Sequence, residues 1–248
     1  EKQLLSDEME VCLLAGKILL QNGAETHRVE DTMLRMAAAF GITNCDSFVI
    51  PTGIIFSIQS EKVDQTKLVR VSERTTNLLK VTQVNRISRQ ITAGQLSARD
   101  AQNMLQEVEA SDTIFSLPVQ IFAAAISSAC FVIMFAGTWH DFFPAFITGG
   151  LGFIAFLFIS RLSSVKFISE FLASVVIGIV SYALINIGMG SEIDKIIIGS
   201  VMPLVPGLLI TNAVRDLMSG HLVSGMSKGA EALLTALAIG GGIALIFS

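Results

Sequence analysis

The stretch LPVQIFAAAISSACFVIMFA, residues 117–136, contains no charged side chain. The hydrocarbon layer of a bilayer is about 30 Å thick and an α-helix rises about 1.5 Å per residue, so about 20 apolar residues cross it once. A helix that is apolar on every side is suited to lipid or to the interior of a large protein. The stretch therefore predicts a transmembrane helix.

Four more apolar stretches follow in the same half of the chain. Together they predict five spans: Leu117–Ala136, Phe142–Ser160, Phe167–Ile187, Ile196–Ala213 and Ala230–Phe247. Charged residues are concentrated in the short connections between these stretches. Soluble cores do not show five consecutive runs of this length, so the second half of the chain is interpreted as a membrane domain.

The composition divides the chain at about the same place. Residues 1–112 carry 27 of the 38 charged side chains, whereas residues 113–248 carry 15 of the 20 glycines. The predicted fold class is a mainly α-helical membrane protein, with a small cytoplasmic α+β domain at 1–112 and a transmembrane domain of about five helices at 113–248. The net charge of −4 provides no concentrated basic surface, which argues against a nucleic-acid partner.

The distribution of basic residues predicts the orientation in the membrane. Alternate connections lie on the same side, so Arg161, Lys166, Arg215 and Lys228 share one side and Lys195 lies on the other. Basic residues favour the cytoplasmic side. The sequence therefore predicts a multi-pass protein of the cytoplasmic (inner or plasma) membrane, with its amino-terminal domain in the cytoplasm and its carboxyl terminus outside.

The polar half of the chain has both helical and strand periodicity. In most of it, apolar residues recur every three or four positions, as in a helix. In a short region they recur every second position, as in a strand, and Gly and Pro turns separate these stretches. The predicted helices are residues 4–20, 25–40, 77–92 and 97–109, and the predicted strands are 47–50, 54–59 and 68–71.

Cysteine spacing gives no sign of a metal site. Cys12, Cys45 and Cys130 are odd in number and widely separated, which favours reduced thiols. Residues 1–112 contain no Ser-His-Asp or Cys-His set and no phosphate-binding glycine loop. No metal and no cofactor are expected, and the chain is not expected to be an enzyme.

The first motif that could carry chemistry is NGAETHRVEDTM, residues 22–33. Its ionisable residues are Glu25, His27, Arg28, Glu30 and Asp31. His27 and Asp31 are four apart, a spacing that could bind a metal or pair a base with the group that orients it. A structural interpretation stays open, because acidic residues favour the first turn of a helix and Glu25 and Arg28 form an ordinary pair three apart.

The second motif lies in the fourth predicted span. Pro203 and Pro206 fall in its middle and Gly207 follows. A proline inside a helix removes one hydrogen bond and clashes with the carbonyl four residues earlier, so the helix is expected to break. Non-helical backbone at membrane depth survives only beside protein or water. Pro206 could begin a half-helix whose free amides, near Gly207 and Leu208, face an anion.

Polar residues continue along this half-helix. Thr211 and Arg215, and Asn212 and Asp216, are each four apart and stack on neighbouring faces. Arg215 with Asp216 could simply anchor the helix at the interface, or the group could line a pathway. Glu231 begins the fifth span and could carry a proton or extend to the interface.

The motifs GAETHRVEDTM (23–33), PLVPG (203–207), TNAVRDLMSGHLVSG (211–225) and EALLTA (231–236) together resemble the threonine/serine exporter family. The resemblance is closest to its shorter members, which have a cytoplasmic domain and about five spans. Family motif positions carry over to Gly23, Ala24, Glu25, Arg28, Val29, Glu30, Pro203, Pro206, Gly207, Asn212, Asp216, Gly220 and Gly225. His27 departs from the pattern, which predicts an aromatic or another polar residue there.

The resemblance implies a secondary exporter of small metabolites, bacterial and proton-coupled, in the lipid bilayer. Threonine or serine is the first substrate class, and split relatives resemble exporters of succinate-like dicarboxylates. The transport unit is expected to need a second membrane half, either a short subunit of the same family or another copy of the chain.

Together, the motifs and the resemblance predict roles for named residues. The substrate carboxylate is expected at a site formed by Pro203, Pro206, Gly207, Thr211, Asn212 and Arg215. Asp216 or Glu231 would carry the proton. One rival is a membrane-anchored enzyme with its chemistry at Glu25, His27, Glu30 and Asp31. Another is a scaffold that does not itself transport.

Overall fold

The computed structural model describes residues 2–59, 64–111, 115–163 and 165–247, and it is mainly helical. The helices are α1 Lys2–Gln21, α2 Thr26–Ala39, α3 Leu78–Thr92, α4 Ala98–Ala110, α5 Leu117–Met134, α6 Trp139–Leu162, α7 Lys166–Asn186, α8 Ile193–Val201, α9 Gly207–Met218 and α10 Leu222–Phe247. The strands are β1 Cys45–Ile50, β2 Gly53–Ile58 and β3 Gln65–Arg70.

The residues group into two compact units. The first contains Glu1–Ile114 and Leu208–Gly229, and the second contains Phe115–Gly207 and Ala230–Ser248. The segment 208–229, which we assigned to the membrane domain from sequence, therefore packs with the polar half of the chain. The predicted domain boundary, between residues 112 and 113, lies outside the described residues.

The first unit contains the predicted α+β core. Its three strands pair antiparallel in the order β1-β2-β3, with Ile50 opposite Gly53 at the first turn. β2 alternates as a half-buried strand should, so that Ile54, Phe56 and Ile58 are buried. α1 packs against β2 and against α2, α3 and α4. The burial of its apolar residues on several sides makes it the central helix of this core.

The second unit is built around α6, which contacts α5, α7 and α8. Its closest helix contacts occur at small residues. A Cβ added at Gly149 would collide with Ser128, and one added at Gly152 would collide with Ile177. Helices in a bilayer gain little from burying apolar surface, so they associate by packing small residues closely.

Four described helices are long and apolar enough to cross a membrane, namely α5, α6, α7 and α10. α8, with its 3₁₀ turn, and α9 form a bent pair. If this pair is taken as one span, the described residues contain five spans by length and composition. Each of the four predicted unbroken spans thus corresponds to one helix.

The fifth helix begins earlier than the sequence predicted. α10 starts at Leu222 rather than Ala230, so the segment between the fourth and fifth predicted spans, 214–229, is mostly helical, with a short turn at 219–221. The prediction treated Lys228 as a sign of an exposed loop. In the structure Lys228 is buried and paired, so its charge does not end the helix.

We predict that Gly149→Ala destabilises the second unit by about 1–3 kcal/mol, because the new methyl group overlaps Ser128 on the facing helix. Gly240→Ala is the matched control, since no atom lies within 4 Å of its added Cβ. Thermal unfolding of the purified protein in detergent measures both. Equal melting temperatures for the two variants would contradict this account of helix packing.

Candidate functional site

The turn between α1 and α2 presents the first motif to the rest of the first unit. Gly23 has a φ of +92°, which a residue with a Cβ rarely adopts. The Ala24 amide donates to the Leu19 carbonyl at 3.1 Å, and the Asn22 side chain donates to the Ile18 carbonyl at 2.7 Å. These bonds fix the turn, so that the Gly23 carbonyl and the Glu25 carboxylate are held in place.

Helix α9 contacts this turn through two of the predicted site residues. The Asn212 side-chain amide donates to the Gly23 carbonyl at 2.9 Å. The Arg215 guanidinium forms an ion pair with the Glu25 carboxylate. Glu25 is buried, whereas the side chain of Arg215 is 57% exposed, so part of the guanidinium faces out of the unit.

Asp216, on the neighbouring face of α9, closes the amino terminus of α2. Its Oδ1 accepts the Thr26 backbone N–H at 3.0 Å, and its Oδ2 accepts the Thr26 hydroxyl at 2.9 Å. Thr26 is the first residue of α2, where backbone N–H groups lack partners within the helix and the helix dipole favours an anion. Asp216 thus serves as a capping group supplied by a distant part of the chain.

Two residues of α10 complete the surroundings of this carboxylate. Lys228 donates to Asp216 Oδ2 at 2.7 Å and to the Thr26 hydroxyl oxygen at 3.1 Å. The Ser224 hydroxyl donates to Asp216 Oδ2 at 3.0 Å. Ser224 and Lys228 are four residues apart, on one face of α10. Asp216, Thr26, Ser224 and Lys228, called here the Asp216 network, are all buried.

The Asp216 network favours an ionised carboxylate. A buried charge is costly unless it is paired and hydrogen-bonded, and here backbone, hydroxyl and ammonium donors all face one carboxylate. Lys228 in turn has its charge balanced by Asp216. Neither member could be lost without leaving the other buried and unpaired.

The glycines of the second motif bring α9 and α10 together. Gly220 has a φ of +85°, at the turn between the two helices. A Cβ at Gly225 would collide with Leu217 and approach the Ala213 carbonyl to 2.9 Å. This packing lets Ser224 and Lys228 reach Asp216.

Two histidines lie beside the network, with their ring centroids 6.4 Å apart. His27 Nε2 is 3.5 Å from Glu25 Oε2, and His221 Nδ1 is 3.7 Å from Glu30 Oε2. His27 Nδ1 is buried and has no hydrogen-bond partner among the described residues. Burial raises the pKa of the Glu30 carboxyl above its ordinary value, although the Val49 N–H bond opposes this.

The two remaining ionisable residues of the first motif, Arg28 and Asp31, are exposed. Asp31 pairs with Arg35 at 2.8 Å, on an exposed surface, rather than with His27. No group of three or more His, Cys, Asp or Glu side chains among the described residues could hold a metal ion.

The predicted helix break is present. α8 ends at Val201, a 3₁₀ turn covers Met202–Leu204, Val205 is extended, and α9 begins at Gly207. One detail of the prediction is corrected: the Gly207 amide donates to the Val205 carbonyl at 2.8 Å, so it is not free to bind an anion. The proline immediately before Gly207 ends the extended segment and precedes the new helix.

The other predicted residues are more scattered. Thr211 is exposed on α9. Glu231 lies in the second unit, where its carboxylate is 3.2 Å from Lys166 Nζ. Pro203, Pro206 and Gly207 also belong to the second unit, whereas Asn212, Arg215 and Asp216 belong to the first.

The sequence analysis did not identify several residues that form the buried polar contacts. It gave no role to Thr26 or Ser224, and it used Lys228 only to predict the orientation in the membrane. It also overlooked Glu170, a buried carboxyl group on α7. A signal was available for Glu170, because an acidic residue within an otherwise apolar span is costly and usually has a role.

Apolar helices interrupted by a proline-containing break, together with a buried charge network, are features of membrane transport proteins. Residues 10–248 match the family described as putative threonine/serine exporter, and the chain belongs to this family. The family and the relatives indicate a membrane exporter, and a transport role rather than an enzymatic one.

Three relatives illustrate the range of the family. A probable succinate transporter subunit, YjjP, of Klebsiella aerogenes is 24% identical over 229 residues, which cover 92% of this chain and 88% of that protein. The threonine/serine exporter of Corynebacterium glutamicum is 23% identical over 244 residues, 96% of this chain but 50% of that protein. Pheromone-regulated membrane protein 10 of Debaryomyces hansenii is 27% identical over 237 residues, 92% of this chain and 23% of that protein. No solved structure matches.

We predict that Asp216→Asn lowers the stability of the protein by about 3–5 kcal/mol, because it leaves the buried Lys228 ammonium without its anion. The double variant Asp216→Asn/Lys228→Met should recover part of this loss. Unfolding in detergent, followed by circular dichroism, measures the change.

Glu109→Gln is the control for this prediction. It breaks the partly exposed Lys17–Glu109 pair of the same unit and should change stability by less than about 1 kcal/mol. An Asp216→Asn variant as stable as Glu109→Gln would show that the Asp216 network does not hold the first unit together.

Proposed function

We propose that the chain is a subunit of a secondary-active, proton-coupled exporter that moves small carboxylate metabolites outward across the cytoplasmic membrane. Threonine and serine are the first substrate class, and a succinate-like dicarboxylate is the alternative. The observation that supports this most is the break at residues 202–206 in a segment apolar enough to span, in a chain of the exporter family. Transporters bind substrates where membrane helices are interrupted, because free backbone groups there can contact the ligand.

The substrate carboxylate is proposed to bind near the beginning of α9. Pro203, Pro206 and Gly207 shape the break, and the amides following Gly207 would supply donors. Thr211, Asn212 and Arg215 lie further along the same helix. This assignment keeps the residues predicted from sequence, with the amides that follow Gly207 rather than the Gly207 amide itself as the donors.

Arg215 is the residue to which we give the main role in recognition. A guanidinium has five N–H donors, and its pair with Glu25 leaves others for a second carboxylate. The substrate carboxylate could bind beside Glu25 or displace it. In the second case, binding would loosen the contact between α9 and the turn at Gly23, so that occupancy changes the packing of the first unit.

Asp216 and Glu231 are the proposed proton carriers, and they differ in suitability. Asp216 accepts several hydrogen bonds, which favour its ionised form, so its protonation would require the network to open. Glu231 is partly exposed and pairs with Lys166. It could therefore exchange a proton with less rearrangement.

The exporter is proposed to need a second membrane half. The name of the Klebsiella aerogenes relative describes it as a subunit, and the Corynebacterium glutamicum relative is about twice as long as the matched region. Either a short subunit of the same family or another copy of this chain would complete the assembly. The first unit is proposed to lie in the cytoplasm, following the distribution of basic residues.

We predict that Arg215→Ala reduces export about tenfold to a hundredfold, since a lost charged hydrogen bond is worth about 1.5–3 kcal/mol. Efflux of labelled threonine, serine and succinate is measured from loaded cells that express the chain with and without a short partner subunit. Arg35→Ala is the matched control, because it breaks an exposed pair of the same unit.

Arg215→Lys keeps the charge and should recover part of the activity, which separates recognition from folding. Pro206→Ala should also reduce export, because it allows the helix to continue. If Arg215→Ala and Pro206→Ala both export at the unmodified rate with normal membrane levels, the site assignment is wrong. If the unmodified protein exports threonine and serine but not succinate, or succinate alone, the assay identifies its substrate class.

A further inference from the structure

The second unit contains a charged group that the proposed site does not use. Glu170, in the second turn of α7, is 3% exposed. Its Oε1 lies 4.0 Å from the Lys166 ammonium, and its Oε2 has no hydrogen-bond partner among the described residues. An ionised carboxylate buried with one oxygen unpaired is costly, whereas a protonated one is far less so.

A second carboxylate competes for the same cation. Glu231 Oε1 is 3.2 Å from Lys166 Nζ, closer than Glu170. Lys166 is half-exposed, so it balances at most one of the two carboxylates well. Two carboxylates that share one ammonium carry a net charge of −1, and protonation of one of them removes this excess.

An uncharged polar side chain lies next to the buried carboxyl. Thr235 of α10 lies beside Glu170 and contributes a hydroxyl group, although Thr235 Oγ1 has no partner in hydrogen-bond geometry among the described residues. Such a hydroxyl can accept from a protonated carboxyl or donate to an ionised one, so it suits a group that changes its charge.

The other helices next to α7 add no buried charge here. α6 carries the exposed Arg161 in its last turn. α8 carries Asp194 and Lys195 in its first turn, which follows the far end of α7 along the chain. The charged groups that act on Glu170 are therefore Lys166 and Glu231.

We propose that Glu170 is the side chain of the second unit that binds and releases the coupled proton, with Lys166 and Glu231 setting its charge. When Glu170 takes up a proton it becomes a neutral carboxylic acid, and Lys166 pairs with Glu231 alone. When it releases the proton, the two carboxylates share Lys166 and the buried charge favours a rearrangement of α7 and α10. The inference rests on the proposed coupled export and moves the proton site from Asp216 and Glu231 to Glu170, with Glu231 remaining the ionised partner of Lys166.

The test of the proton site is infrared difference spectroscopy of the full chain in lipid vesicles during a pH titration. A protonated carboxyl group has a C=O stretching band that a carboxylate lacks. We expect a band that disappears as the pH rises, is absent in Glu170→Gln and is unchanged in Glu192→Gln. Glu192 is a suitable control because it is a partly exposed glutamate of the same unit, paired with Lys195.

Two more variants test the surroundings. Glu170→Asp keeps a titrating group and should shift the band rather than remove it. Lys166→Met removes the cation, so the band should persist to higher pH. A band that survives in Glu170→Gln, or its absence from the unmodified protein at every pH, would overturn the proposal.

The functional test compares two transport modes in vesicles that contain the chain and its partner. Glu170→Gln should keep substrate exchange at equal pH but lose uphill movement driven by a pH gradient. Export driven by the gradient at the unmodified rate in Glu170→Gln overturns the coupling role. If the unmodified protein moves no tested substrate in either mode, the proposed function fails, and the infrared titration still decides whether Glu170 binds the proton.

Discussion

The first unit depends on one buried carboxylate. Asp216 accepts hydrogen bonds from the backbone and side chain of Thr26 and pairs with Lys228. A buried charge must be paired and hydrogen-bonded to be tolerated, so each partner must be in place at once. This requirement fixes the start of α2, the position of α9 and the first turns of α10 relative to one another within the unit. The turn at Gly23 and the close packing at Gly225 are compatible with this arrangement.

The second unit is governed by a different requirement. Its helices are apolar on most sides, so close packing at small residues such as Gly149 and Gly152 determines which faces meet. In this setting Glu170 is exceptional, because it is a charged side chain without the dense set of donors that surrounds Asp216. The contrast supports two separate roles: a structural one for the ionised Asp216 carboxylate and, as proposed above, a proton-binding one for Glu170.

The fold was largely predictable because its signals are local. The alternation around Phe56 identified a half-buried strand, and the length of the run from Leu117 identified a membrane helix. Pro203 and Pro206 broke the fourth span as their missing amide hydrogens require. The predicted start of α10 was wrong by eight residues, because Lys228 was expected to be exposed. Its burial is tolerated only because its ammonium group pairs with Asp216.

The sequence by itself determined the apolar spans, the helix break and the two motifs, since each follows from the chemistry of neighbouring residues. It also singled out Asp216, Arg215 and Glu25 as important. Only the tertiary structure decided that these residues meet, because Thr26 and Asp216 are 190 positions apart and Thr26 and Lys228 are 202 apart. Periodicity describes one helix at a time, whereas the neutralisation of a buried charge depends on groups that folding brings from elsewhere in the chain.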